Sequence, residues 1–112
     1  MTGIQFSPLE SALLTVFHSL NAARGFPPPD QFRILRRENT GAGRYVDVQV
    51  SADTQLEDGY IDLGGRFIEM DGIPHGLMAV MRIKDHRPTQ IEIAVYGNHS
   101  WNGEETNWSI KE

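Results

Sequence analysis

The sequence predicts an α+β fold: an N-terminal amphipathic helix packed on one face of an antiparallel sheet of about five or six strands, in a single domain spanning residues 1–112. Three observations predict it. First, Leu77, Ala79, Met81 and Ile83 alternate with Met78, Val80, Arg82 and Lys84; after the polar turn Asp85-His86-Arg87-Pro88, Ile91, Ile93 and Val95 alternate with Gln90, Glu92, Ala94 and Tyr96. Period-two alternation on both sides of such a turn marks two antiparallel strands with one face on a core. Second, Leu9, Leu13, Val16, Phe17 and Leu20, with Ala12, recur at helical spacing and form one apolar stripe. Third, only 39% of the 112 residues are hydrophobic, which predicts a thin core, one layer of helix on one face of a sheet. The other sheet face must then meet water or a partner.

Each element has its own signals. Ser7-Pro8-Leu9-Glu10 opens the helix: Ser7 can cap free amides, Pro8 suits the first helical position, and Glu10 completes a capping box. Arg24 followed by Gly25 supplies a C-terminal cation and cap, so the helix should run from about Pro8 to Arg24. Phe26-Pro27-Pro28-Pro29-Asp30 can be neither regular helix nor central strand and predicts an extended polyproline-type spacer. Gln31 to Arg37 and Arg44 to Val50 read as strands. In the second, Val46, Val48 and Val50 face one way and Tyr45, Asp47 and Gln49 the other. The intervening Asn39-Thr40-Gly41-Ala42-Gly43 is a turn. It lacks the lysine and following helix that would make a phosphate cradle of it. Ser51 to Gly65 is acidic and aperiodic, with a short strand expected at Tyr60-Ile61-Asp62-Leu63. Arg66 to Met70 is a further strand, Asp71-Gly72 a turn, Pro74-His75-Gly76 a lead into the hairpin, and Trp108-Ser109-Ile110 a last short strand.

Composition narrows the function. There is no cysteine, hence no disulfide, thiolate ligand or cysteine nucleophile. No apolar run approaches the roughly 20 residues that span a bilayer, and Met1 to Phe6 lacks a basic region followed by an apolar stretch. A cytoplasmic chain with no membrane partner is expected. Charge is unevenly placed. In residues 1–50 five arginines face four carboxylates, a net of +1; in residues 51–112 five cations face eleven carboxylates, a net of −6, together giving −5. An acidic second half argues against nucleic acid, which needs basic surface; it permits attraction to a basic protein partner and is equally the ordinary charge of a soluble domain.

No residue set points to catalysis, and no cofactor is expected. The acidic stretch beginning at Asp53 places Asp58 where a calcium loop needs glycine. Of the histidines, His18 lies on the helix, His86 in a turn, and His75 and His99 in loops. None has metal-ligand spacing, and a site would require His75, His99 and a carboxylate to converge in space. Ser100 follows His99, but adjacency does not make a nucleophile–base pair. The carboxylates Asp53, Glu57, Asp58, Asp62, Glu104 and Glu105 read as a solvated acidic face. The tail concentrates aromatic residues: Tyr96, Trp101 and Trp108 lie close to Glu104 and Glu105. Two readings stand: an aromatic anchor with an acidic rim for a basic partner, or tryptophans that close the edge of a thin core. The first reading gives the candidate partner-binding set Tyr60, Tyr96, His99, Trp101, Glu104, Glu105 and Trp108.

The stretch from Gly76-Leu77-Met78-Ala79-Val80-Met81-Arg82-Ile83-Lys84-Asp85-His86-Arg87-Pro88 through Gln90-Ile91-Glu92-Ile93-Ala94-Val95-Tyr96-Gly97 to Trp101 resembles a C-terminal hairpin of small bacterial immunity proteins, which neutralise toxins. Their loose pattern is Asp-Gly-Arg/Lys, then Leu-Glu-Ile/Val, then Tyr-Gly and Trp. This chain departs from it at His86, in place of glycine, and at Ile91, in place of leucine; the first departure predicts a different turn geometry. The resemblance, over residues 66–108, implies a non-enzymatic domain that binds and blocks a basic cognate toxin domain and carries no catalytic residues. Two rivals belong to other classes. One is a small ligand-binding or enzymatic domain with a pocket between helix and sheet, built on Tyr45, Asp47, Gln49, Arg82, Glu92 and Tyr96. The other is a homodimer, rather than a monomer, formed by pairing an exposed edge strand.

Overall fold

The computed structural model describes residues 4–112; Met1, Thr2 and Gly3, part of the segment judged not to be a leader, lie outside the described residues. Helix α1 spans Pro8–Asn21. Both halves of its capping box form: Glu10 N donates to Ser7 Oγ at 3.2 Å and Ser7 N donates to Glu10 Oε1 at 2.9 Å. The last turn tightens into a 3₁₀ turn, Ala22–Arg24, which stops at Gly25 with φ 89°. The expected helix and its end are therefore present. The proline segment is extended at Pro28 but closes into a 3₁₀ turn over Pro29–Gln31, because the fixed φ of Pro29 also suits the first position of a helical turn. Phe26, buried, stands between Phe17 (ring centroids 6.2 Å apart) and Phe32 (5.5 Å, stacked), pinning this crossover to the core.

Seven strands follow: β1 Phe32–Asn39, β2 Gly43–Val50, β3 Gly59–Ile61, β4 Phe67–Met70, β5 Ile73–Lys84, β6 Arg87–Val95 and β7 Ser109–Lys111. They form one antiparallel sheet in the order β1-β2-β6-β5-β4-β7, with β3 also paired to β5. The long β5–β6 hairpin is central, as its alternation requires. Strand β3 pairs with the C-terminal half of β5 and β4 with its N-terminal half. The twelve residues of β5 begin at Ile73, so Pro74-His75-Gly76 belongs to the strand instead of leading into it. Gly76 permits this: it has φ 73°, and a Cβ there would come 2.5 Å from the Ile68 carbonyl oxygen.

One sheet face meets the helix. Leu77, Ala79, Met81, Ile83, Ile91, Ile93, Val46, Val48, Ile34 and Ile68 are buried there with Leu9, Leu13, Leu14 and Phe17 in a single apolar cluster. The molecule is a slab of 38 × 37 × 20 Å, whose short dimension is one helix layer on one sheet layer. The opposite sheet face is uncovered. The chain's three tyrosines are all exposed and point away from the helix-covered core: Tyr45 (43% exposed), Tyr60 (61%) and Tyr96 (44%). No helix among the described residues is long and apolar enough to cross a membrane.

Candidate functional site

The β5–β6 turn organises an acidic edge. The turn has two residues, Asp85 and His86, between Lys84 and Arg87. Both have positive φ, 54° and 65°, the conformation that two-residue hairpins demand. The histidine therefore keeps the turn geometry that glycine would give, contrary to the expectation from its replacement of glycine. Four hydrogen bonds hold His86 there. Its N–H donates to Asp58 Oδ1 at 2.8 Å and its Nδ1–H to the Leu56 carbonyl at 2.9 Å. Its carbonyl accepts from Thr54 Oγ1 at 2.6 Å and from Leu56 N at 3.2 Å. Thr54 and Leu56 are buried. The acidic segment, aperiodic in sequence, is thus strapped to the hairpin tip.

This strap ends in β3 and presents Tyr60, the most exposed large hydrophobic side chain described. Asp53, Glu57, Asp58 and Asp62 surround it in sequence and all are exposed. Asp58 and Asp62 bond backbone amides, of His86 and Gly64. Asp53 and Glu57 make no ion pair or side-chain hydrogen bond among the described residues, which leaves their charges directed at solvent. Beside Tyr60 a cleft of about 610 Å³ is lined by Arg24, Gln55, Leu56, Glu57, Asp58 and Ile61. An aromatic side chain with a polar hydroxyl, a neighbouring cleft and a rim of carboxylates suits the docking of a cationic surface.

The other aromatic and acidic candidates are placed differently. Trp101 is 3% exposed and packs in the core, with Nε1–H donating to the Glu104 carbonyl at 2.8 Å. The Arg44 guanidinium lies 4.8 Å over its ring. Glu105 is internal too: Oε1 accepts from Leu9 N at 3.0 Å, capping α1, and Oε2 pairs with Arg44 at 2.6 Å. Trp108 is half-buried against the core. Of the tail residues Glu104 is exposed and His99 half-buried. Trp101 and Glu105 cannot be an exposed anchor and rim, because folding already uses their polar atoms. Tyr60 and Tyr96 remain at the surface, Tyr60 opposite Arg82 on β5 and Tyr96 just past the end of β6, with its N–H donating to the Gly76 carbonyl.

Around Glu105 lies a buried charge network. Glu10, fully buried, takes a bidentate contact from Arg37 (2.7 and 2.5 Å) and a further one from Arg44 at 3.1 Å. Arg44, also buried, donates to Asn39 Oδ1, Glu105 and the Gly103 carbonyl. Burial alone would raise the Glu10 carboxyl, but hydrogen bonds from Arg37 and the Ser7 amide, with the charges of Arg37 and Arg44, outweigh it and hold the group below its ordinary value. This network fastens helix start, β1–β2 hairpin and C-terminal loop. It has every buried side-chain polar atom satisfied, and its role is structural.

The polar set expected to line a pocket between helix and sheet lies on the other side. Tyr60, Arg82, Gln90, Asp47 and Arg36 form one cross-strand row, and Val80, Glu92 and Tyr45 the next, on the uncovered face. Gln90 Nε2 donates to Asp47 at 2.8 Å. The space between helix and sheet is filled by the apolar cluster. His75 and His99 come together, with ring centroids 5.2 Å apart, but no group of three or more metal-ligating side chains assembles among the described residues.

Sequence reasoning missed His86 and Thr54 as anchors, and Arg44 as the hub of the buried network. His86 occupies a turn position that favours glycine or asparagine, and that mismatch was the signal that something holds it. Arg44 breaks the apolar parity of β2, falling on the face of Val46 and Val48, and that lone cation on a core face was likewise readable. Among known proteins, the chain matches no family model, no curated protein and no solved structure.

Proposed function

We propose that this chain is a non-enzymatic protein-binding domain of the immunity type, which acts in the cytoplasm by docking on a basic toxin domain and blocking it. The observation that carries the reading is the edge around Tyr60: an exposed aromatic side chain among four carboxylates, on a segment fixed in advance by His86. A preformed segment loses little entropy on docking, and its charge speeds encounter with a cationic cleft. The acidic second half of the chain and the hairpin resemblance point the same way.

The test is capture of a partner by the tagged chain from host lysate, followed by affinity measurement with the purified partner. Tyr60→Ala should weaken binding by about tenfold or more, a hot-spot loss. Asp53→Lys with Glu57→Lys should slow association and remove most of its salt dependence. Trp101 and Glu105 are unsuitable probes, since their substitution disturbs folding. A basic partner whose affinity ignores all three substitutions would remove the Tyr60 edge from the interface; an acidic or neutral partner would refute the charge argument.

A further inference from the structure

The chain's four histidines fall into two pairs by their bonding. His18 and His86 each engage a backbone carbonyl through Nδ1, of Phe26 at 2.8 Å and of Leu56 at 2.9 Å. The rings of His75 and His99 make no hydrogen bond to the described residues, and they meet at 5.2 Å between centroids with planes 50° apart. His75 is exposed and His99 half-buried, so both rings reach solvent.

The backbone explains why these two meet. Leu77 pairs with Val95, and Tyr96 N donates to the Gly76 carbonyl at 3.0 Å. The ladder ends there; His75 lies one residue before Gly76 on β5, and His99 lies in the irregular stretch after β6, which bends back at Gly97 to bring the two rings together. Gly97 turns the chain with φ 78° and places no side chain between the rings. The position a Cβ on Gly97 would take lies 3.4 Å from Cδ2 of His75, 3.4 Å from Cδ2 of His99 and 3.7 Å from Nε2 of His99. Both rings therefore border one spot at the end of the sheet, His75 from β5 and His99 from the irregular stretch that follows β6.

We propose that His75 and His99 form a two-histidine site for a first-row divalent cation such as zinc, bound through the imidazole nitrogens and open on its solvent side. Neutral imidazole is a good ligand for this class of ion, and the chain has no cysteine to compete. Ring packing accounts for the contact between the two side chains, but it leaves their nitrogens without partners. Among the described residues no third histidine or carboxylate joins the pair, so water, or a donor from a bound molecule, completes the coordination. An open site of this kind is weaker than a four-ligand structural site. The inference is independent of the reading of the Tyr60 edge.

The test is titration of the tag-free full chain with zinc sulfate, followed by calorimetry and by NMR of the histidine ring protons. One equivalent should bind. The His75 and His99 ring signals should move together while those of His18 and His86 stay in place. His75→Gln and His99→Gln should each weaken binding by at least about tenfold, since either change removes the intramolecular second ligand. Zinc should also raise the unfolding midpoint of the wild type and leave that of the double variant unmoved. Binding that survives both substitutions, ring shifts confined to His86, or no binding at millimolar zinc would each overturn the site. The wild-type NMR result decides the matter even if a variant folds poorly.

Discussion

Glu10 shows how one buried charge can fasten three distant pieces of chain. It sits in the first turn of α1, where a carboxylate is favoured by the helix dipole. It completes the capping box through Ser7 and reaches Arg37 and Arg44, 27 and 34 residues away. Removing one partner of such a network leaves the others buried and unpaired, which costs far more than the intact pair contributes over an apolar substitute. Glu10→Gln should therefore destabilise the fold by about 3 kcal/mol, read by urea unfolding at neutral pH. The pH dependence follows from the sign of the shift. The folded carboxyl titrates below its ordinary value of 4.5, so the stability it contributes is fully present above that value and is lost as pH falls through the lowered one. The wild type should lose stability on acidification below about pH 4.5 more steeply than the Gln variant, and equal slopes would show that Glu10 is not the group responsible. Half of this network was legible in the sequence. The Ser7–Glu10 capping box is local and follows from four adjacent residues; the arginines are not, because nothing in a linear pattern says which cations will reach a helix start from another layer. The same limit explains Trp101. A tryptophan beside carboxylates has the composition of a binding surface and of a core edge alike, and only the chain path from β6 back across the end of β2 turned it inward, under Arg44.

At the scale of elements, the β5–β6 hairpin does two jobs. Its alternating strands form the middle of the sheet, and its tip holds the acidic segment in place. The strands were readable because alternation is a local, repeated signal; the strap was not, because its bonds join His86 to residues 28 to 32 positions earlier. The short strands show the same division. β3 and β7, three residues each, exist because β5 and β4 offer them an edge, and their own sequences fix their bounds only loosely. The tip separates into a backbone part and a side-chain part by experiment. His86→Ala and His86→Gly both remove the bond to the Leu56 carbonyl, and only glycine relieves the left-handed backbone. The Gly variant should be the more stable of the two by about 1 kcal/mol, measured by chemical denaturation. In both variants amide exchange at residues 54–58 should quicken while β5 and β6 stay protected. Unchanged exchange in that segment would mean that Thr54 and Asp58 suffice to hold it.

For the whole molecule, one helix covers one sheet face, and the consequences are an open face and two free edges. The edges differ in charge. β1 carries Arg33, Arg36 and Arg37 against one carboxylate, Glu38, which pairs with Arg36, whereas the β3 side carries Asp53, Glu57, Asp58 and Asp62. An exposed edge strand is a template for pairing with another copy, and β1 interrupts that template. Its register with β2 slips between Ile34 and Arg36, leaving Leu35 as the extra residue, half exposed. A bulge twists the edge and breaks its row of hydrogen-bonding groups, and exposed Arg33, which pairs with no carboxylate among the described residues, sets like charge against a second copy of the same strand. This argument predicts a monomer of 12.6 kDa in preference to an edge-paired homodimer. Sedimentation equilibrium should return that mass across the accessible concentration range. Deleting Leu35 restores an unbroken ladder, and the deletion variant should self-associate as concentration rises while keeping its secondary structure. If the wild type already dimerises and the deletion changes nothing, β1 is not the controlling edge, and the uncovered face with Tyr45, Tyr60 and Tyr96 becomes the surface that joins the copies.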